Sequence, residues 1–275
     1  MKRIITALAV LFAVSVSAQE LNVGSINIRQ GRSLRPGQEL PKKGDYAKYN
    51  GWDHRKQILC DMINLEAFDI FGSQEVRKHQ LDDMLAMLPD YDYIGVGRDY
   101  GDDRGEFSPI FYRKDVLEKL DGGTFWLSPT PDVPSKGWDA KYNRICTWGH
   151  FIHKASGKKI CFMNVHFDHR GVQARLEASK QIVAYVKKHC RGAKVVISGD
   201  FNVTQDSEPY KVFAESGFLN DTYEAARYRF ATTGTFNLYA LWTSASVTLP
   251  TPTRAGYTFA GWTPLVGNMT EEGMT

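Results

Sequence analysis

Three short apolar runs each end on residues able to do chemistry, and this repeated layout restricts the chain to folds whose strands finish at one common site. Lys194-Val195-Val196-Ile197-Ser198 reads as a buried strand and leads into Gly199-Asp200-Phe201-Asn202. Phe68 to Phe71 leads into Gly72-Ser73-Gln74-Glu75, and Ile160 to Val165 leads into His166-Phe167-Asp168-His169. The three strand ends offer Glu75, His166 and Asp200, a set suited to one hard metal ion and a phosphate.

Around these runs the pattern alternates between helix and strand. Leu21 to Ile28 predicts a strand, and Trp52 to Phe68 predicts a helix from apolar residues at 58, 59, 62, 63 and 65. Val76 to Leu88 predicts a second helix, with Leu81, Met84, Leu85 and Leu88 on one face and Pro89 helping to stop it. Strand-like runs follow at 91–97, 107–113 and 122–127, then a hairpin of 145–153 and 159–167 about Ala155-Ser156-Gly157-Lys158. Gln173 to Cys190 predicts a helix with Leu176, Ile182, Val183 and Val186 inward, and Ser207 to Glu215 a shorter one with Pro209 in its first turn. This mixture implies an α/β (α+β) layered sandwich. The charged stretch Arg98 to Glu106 and the stretch Pro129 to Arg144 are candidate substrate-facing loops.

Residues 1–18 have a basic start, an apolar stretch from Ile4 to Val14 and the small-residue close Val16-Ser17-Ala18, the layout of a cleavable signal peptide. Cleavage is expected after Ala18, giving a secreted or periplasmic protein. The apolar stretch falls short of the roughly 20 residues a spanning helix needs, and no other segment reads as transmembrane. Removing Lys2 and Arg3 lowers the formal charge from +3 to +1, so no global basic field gathers nucleic acid. With 43% hydrophobic and 12% aromatic residues, the remainder can bury a large core. In the expected hairpin Cys146 falls opposite about Val165 and Cys161 opposite about His150, out of register for a direct bridge. Cys60 and Cys190 fall on predicted helices, and buried thiols are expected at all four cysteines.

Asn27 within Val23-Gly24-Ser25-Ile26-Asn27-Ile28-Arg29, Gln74-Glu75 after a strand, and Ser108-Pro109-Ile110-Phe111-Tyr112-Arg113 are the first of five ordered motifs. Asn164-Val165-His166-Phe167-Asp168-His169-Arg170-Gly171 and Gly199-Asp200-Phe201-Asn202 complete them. Together, over roughly residues 21–237, they resemble the endonuclease/exonuclease/phosphatase superfamily. The resemblance implies a four-layer αββα sandwich and a phosphate-ester substrate, with nucleic acid among the candidates. It also implies Glu75 as metal ligand, and Asn27 as a group that binds a metal-coordinated water or the phosphate. Asp200 is then the group that orients or deprotonates the attacking water, Asn202 fixes its neighbours, and His166 donates to a phosphate oxygen. Asp168, His169 and Arg170 are candidates for substrate contact. The cofactor expected is Mg²⁺, with Mn²⁺ or Ca²⁺ as alternatives, and the chain is expected to be a monomer.

Each residue type also has a purely structural use. Glu75 could cap a helix starting at Val76, Asn27 could satisfy a strand end, His166 could be a core histidine, and Asp200 with Asn202 could form an Asx-type turn.

The departures from the family matter equally. Gly234-Thr235-Phe236-Asn237 matches, but the Ile-Asp-Tyr-like motif and Ser-Asp-His triplet expected after it do not appear, and the last histidine is His189. Instead, Leu238-Tyr239-Ala240-Leu241-Trp242-Thr243 and Pro252 to Trp262 resemble parts of internalin-type β-grasp surface repeats. The expected organisation is therefore a signal peptide (1–18), a hydrolase-like domain lacking its last strands (19–237) and a partial β-rich tail (238–275). A sandwich without those strands would leave an unpaired sheet edge unless the tail covers it. The function expected is a metal-dependent phosphoesterase impaired by loss of the terminal Asp-His pair. The alternative is an inactive metal- and phosphate-binding or surface-interaction protein.

Overall fold

A computed structural model describes residues 21–31, 51–225 and 242–243. The elements run β1 (Val23–Asn27), α1 (Trp52–Glu66), β2 (Ile70–Gln74), α2 (Lys78–Met87), β3 (Tyr91–Ile94), β4 (Ile110–Arg113) and β5 (Leu117–Trp126). Then come β6 (Ile145–His153), β7 (Lys159–His166), α3 (Val172–His189), β8 (Lys194–Asp200), α4 (Glu208–Ala214), β9 (Asn220–Asp221), α5 (Thr222–Ala225) and β10 (Trp242–Thr243). One sheet has the order β1-β2-β4-β3 and the other β5-β6-β7-β8-β10-β9.

Period-two alternation along the strands assigns each side chain to a layer. On β4, Ile110 and Tyr112 enter the core between the sheets, whereas Phe111 faces the outer helices α1 and α2 beside Ile63, Leu81 and Met84. On β7, Ile160 and Phe162 face between the sheets, whereas Cys161, Met163 and Val165 face α3 beside Ala178, Ile182 and Val186. Three apolar layers between four layers of secondary structure make the expected αββα sandwich. No helix among the described residues is long and apolar enough to cross a membrane.

The two sheets approach each other closely at Gly72, where a Cβ would overlap Ser198 Oγ and Asn164 Oδ1. Asn164 bridges there. Its Nδ2 donates to Ser73 O at 2.8 Å and Pro109 O at 3.0 Å, while its Oδ1 accepts from Gln74 Nε2 at 2.8 Å and from Ser198 Oγ at 3.1 Å. An amide using donors and acceptor together fixes the strand ends of both sheets relative to one another.

Several boundaries differ from expectation for physical reasons. The strand expected over 68–71 is shifted to Ile70–Gln74, because Ser73 and Gln74 are wholly buried in the interlayer network and continue the ladder with β1. The helix expected from Val76 starts at Lys78, with Arg77 as its N-cap, so Glu75 does not cap it. β5 begins earlier than expected because its exposed residues Glu118, Lys119 and Asp121 pair along β6 at the sheet's outer edge, with a shift of register at Leu120.

The expectation of four buried thiols is overturned for two of them. Cys146 pairs with Val165 and Cys161 with His150, as the hairpin register requires. Cys161, however, points into the helix layer and forms a disulfide with Cys190 at the end of α3. The strand-register argument tested only pairs within the sheet, and this bridge crosses layers. Cys60 and Cys146 remain free and buried, and burial pushes the Cys60 thiol up to about 11.

β8 is not left as a bare edge, since Trp242 pairs with Ile197 and Thr243 with Val196. The leader over 1–18, the expected boundary at 237 and the rest of the 238–275 tail lie outside the described residues.

Candidate active site

Parallel pairing brings the site together. β1 runs parallel to β2 in register Asn27↔Gln74, and β7 runs parallel to β8 in register His166↔Asp200. Both pairs finish at the same side of the sandwich, held there by the Asn164 bridge, so four strand ends present side chains to one another. Backbone geometry at these ends is unusual. Glu75 has φ 62° and Asn202 φ 49°, non-glycine residues in the left-handed region, where asparagine is tolerated best. Gly199 has φ 154°, and a Cβ there would overlap Val165 O. Held conformations of this kind concentrate where side chains must be aimed.

Asn27 is the junction. Its Nδ2 donates to Glu75 Oε1 at 3.0 Å and to Asp200 Oδ2 at 3.1 Å, so carboxylates from different sheets converge on one nitrogen. Its Oδ1 accepts from Arg29 N at 2.9 Å, and Glu75 Oε2 accepts from Gln30 N at 3.0 Å. Asp200 Oδ1 accepts from Asn202 N at 3.1 Å, and Asn202 Nδ2 donates to Phe167 O at 3.0 Å. The Asx-type turn expected as an alternative is thus present, alongside the convergence on Asn27.

Burial pushes the Asp200 carboxyl up against the lowering effect of its hydrogen bonds, and the Glu75 charge adds to the rise. Two acids crowded in this way, with only oxygen ligands to offer, form a donor set that a hard divalent cation would stabilise.

His166 is 8% exposed, with Nε2 4.0 Å from Asp200 Oδ2 and Nδ1 4.0 Å from Glu106 Oε2. Both separations exceed hydrogen-bond length. Burial, then the nearby Arg144 and Arg98 charges, hold its pKa well below the ordinary value, so the imidazole is neutral near pH 7 and retains one N–H to donate.

Asp168, His169 and Arg170 follow directly after β7. Asp168 Oδ1 accepts from Arg170 N and Gly171 N, each at 2.9 Å, and Oδ2 accepts from Tyr142 N and Arg144 Nε, each at 3.2 Å. Its carboxylate is occupied by the chain. His169 and Arg170 are exposed at the rim. Glu106 beside His166 and the buried Arg98 and Arg144 were not singled out as site residues from sequence. Arg98 and Glu106 lie in the charged stretch and Arg144 at the end of the stretch from Pro129, both expected only as substrate-facing loops, and only the fold shows which side chains turn inward.

The chain resembles known proteins along most of its length. A solved mannosyl-6-phosphatase of Bacteroides thetaiotaomicron is 43% identical with a TM-score of 0.74, covering 82% of this chain and 86% of that one. An endonuclease/exonuclease/phosphatase from Bacteroides vulgatus is 36% identical with a TM-score of 0.72, covering 80% and 85%. An uncharacterized protein of Acanthamoeba polyphaga mimivirus is 31% identical over 182 residues, 62% of this chain and 67% of that protein. The model described as the Endonuclease/Exonuclease/phosphatase family matches residues 22–268, past the boundary expected at 237. The chain belongs to the endonuclease/exonuclease/phosphatase family.

Proposed function

We propose that the chain is an exported, divalent-metal-dependent phosphoesterase that hydrolyses phosphomonoesters of a sugar type. The observation carrying this reading is the meeting of Glu75 and Asp200 on Asn27 Nδ2. The sugar phosphomonoester is supported by the 43% identical mannosyl-6-phosphatase, and export by the leader-like residues 1–18 together with the Cys161–Cys190 disulfide.

Glu75, with Asp200 beside it, would hold Mg²⁺ or a similar ion, which when bound supplies positive charge to neutralise the ester oxygens. Asn27 positions the phosphate through its amide, and Asp200 orients the attacking water and accepts its proton. Asn202 keeps Asp200 in place by tying the loop after β8 to the end of β7. Neutral His166 donates to a phosphate oxygen as charge builds there.

One observation favours a second reading, binding without turnover. No histidine follows His189 in these 275 residues, and general acid or base catalysis is worth about 10² to 10⁴ in rate.

The two readings separate in an assay of Mg²⁺-dependent hydrolysis of mannose 6-phosphate, bis-p-nitrophenyl phosphate and plasmid DNA. Turnover that disappears in Glu75→Ala and Asp200→Ala is expected. Equal background from all three proteins would leave only the binding reading.

A further inference from the structure

Two buried arginines next to the site have more donors than the protein uses. Arg144 is 4% exposed and Arg98 8%. Arg144 Nε pairs with Asp168 at 3.2 Å and its Nη2 lies 3.1 Å from His169 Nδ1, but its buried Nη1 has no acceptor in the protein. Arg98 Nη1 donates to Glu106 Oε2 at 2.7 Å, whereas its buried Nε lacks a hydrogen-bond acceptor and only faces Asp99 at 3.8 Å. The two carboxylates balance the charge of two guanidiniums, but not their donors, since each guanidinium carries five N–H groups.

The pair is also one assembly. Tyr142 lies beside both, its ring centroid 5.0 Å from the Arg98 guanidinium carbon and 5.9 Å from that of Arg144. His166 links this assembly to the acidic junction, standing 4.0 Å from Glu106 on one side and 4.0 Å from Asp200 on the other. The charges of both arginines act on His166, and that of Arg144 on Asp200, so the assembly lies within electrostatic reach of the junction.

We propose that Arg144 and Arg98 form a guanidinium wall that takes the outer oxygens of a phosphate dianion and thereby makes the site prefer phosphomonoesters to phosphodiesters. A monoester presents three unsubstituted oxygens and two negative charges, and a diester presents two and one. Planar guanidinium forks match the extra oxygen in a way that a lysine point charge does not. Asp168 and Glu106 are positioning residues, which hold the two forks. Tyr142, 45% exposed, borders both guanidiniums on the solvent side.

This inference rests on the phosphoesterase reading, but its test does not require turnover. Calorimetric binding of inorganic phosphate near pH 8 is compared with binding of dimethyl phosphate, in the presence of Mg²⁺, for the wild type, Arg144→Lys and Arg98→Lys. Wild type should bind phosphate the more tightly, and each variant should lose about 10- to 100-fold for phosphate and several-fold less for dimethyl phosphate. Thermal unfolding identifies a variant that fails to fold, in which case the other arginine decides. Equal losses for the two probes, or no loss, would overturn the proposal. Loss of phosphate preference in the arginine variants of a chain that hydrolyses nothing would uphold the wall and reject the catalytic reading.

Discussion

Both carboxylate oxygens of Asp168 are occupied by donors from the chain, and its environment makes the charged form essential to the loop after β7. Burial alone would raise its pKa, but the Gly171 and Arg170 amides and the Arg144 charge outweigh burial and hold it well below the usual carboxylate range. A folded pKa below the unfolded one stabilises the fold above about pH 4, and that stability is lost as pH falls further. Asp168→Asn should therefore cost about 3 kcal/mol in urea unfolding at pH 7, with the gap to wild type narrowing below about pH 4. A gap independent of pH would contradict this. Gly72→Ala should cost about 1–3 kcal/mol by the same measurement, because the added methyl meets Ser198 and Asn164 where the sheets come closest. Glu75, His166 and Asp200 were legible in the sequence because each lies within four residues of the end of an apolar run. The Arg98–Glu106 pair and the reach of Arg144 to Asp168 depend on loop paths, and no local pattern encodes those.

Elements were legible where one face is apolar and obscured where polarity is buried. The inward stripe of α3 held for Ile182, Val183 and Val186, which are buried, but not for Leu176, which is only half-buried while Ala174 and Ala178 take the inward positions of that turn. Gly72-Ser73-Gln74 lay beyond the apolar run expected as the strand but is the end of β2, where Ser73 Oγ donates to Ile26 O within the sheet and Gln74 Nε2 donates to Asn164 Oδ1 across the sheets. The Cys161–Cys190 disulfide was missed for a related reason: it joins β7 to the end of α3, across layers rather than along a ladder. Closing a loop with sequence separation 29 should stabilise the fold by about 3–4 kcal/mol. Replacing both cysteines by alanine should lower the denaturation midpoint accordingly. An unchanged midpoint would show that the bridge does not constrain the unfolded chain.

At the scale of the whole molecule, the sandwich places two parallel strand pairs, one per sheet, so that their ends meet, and the site is a consequence of that topology. The short β10 stands between β8 and β9 and keeps β8 from being a bare edge. Deleting residues 238–275 should expose that edge and shift the size-exclusion profile towards aggregate, whereas an unaltered profile would mean that β8 needs no partner. The central claim is that Glu75 and Asp200 jointly grip one divalent cation. Calorimetric titration of the chain with Mn²⁺ tests it most directly: one ion should bind per chain, with affinity reduced at least about tenfold in both Glu75→Ala and Asp200→Ala. Undiminished Mn²⁺ binding in both variants would contradict it.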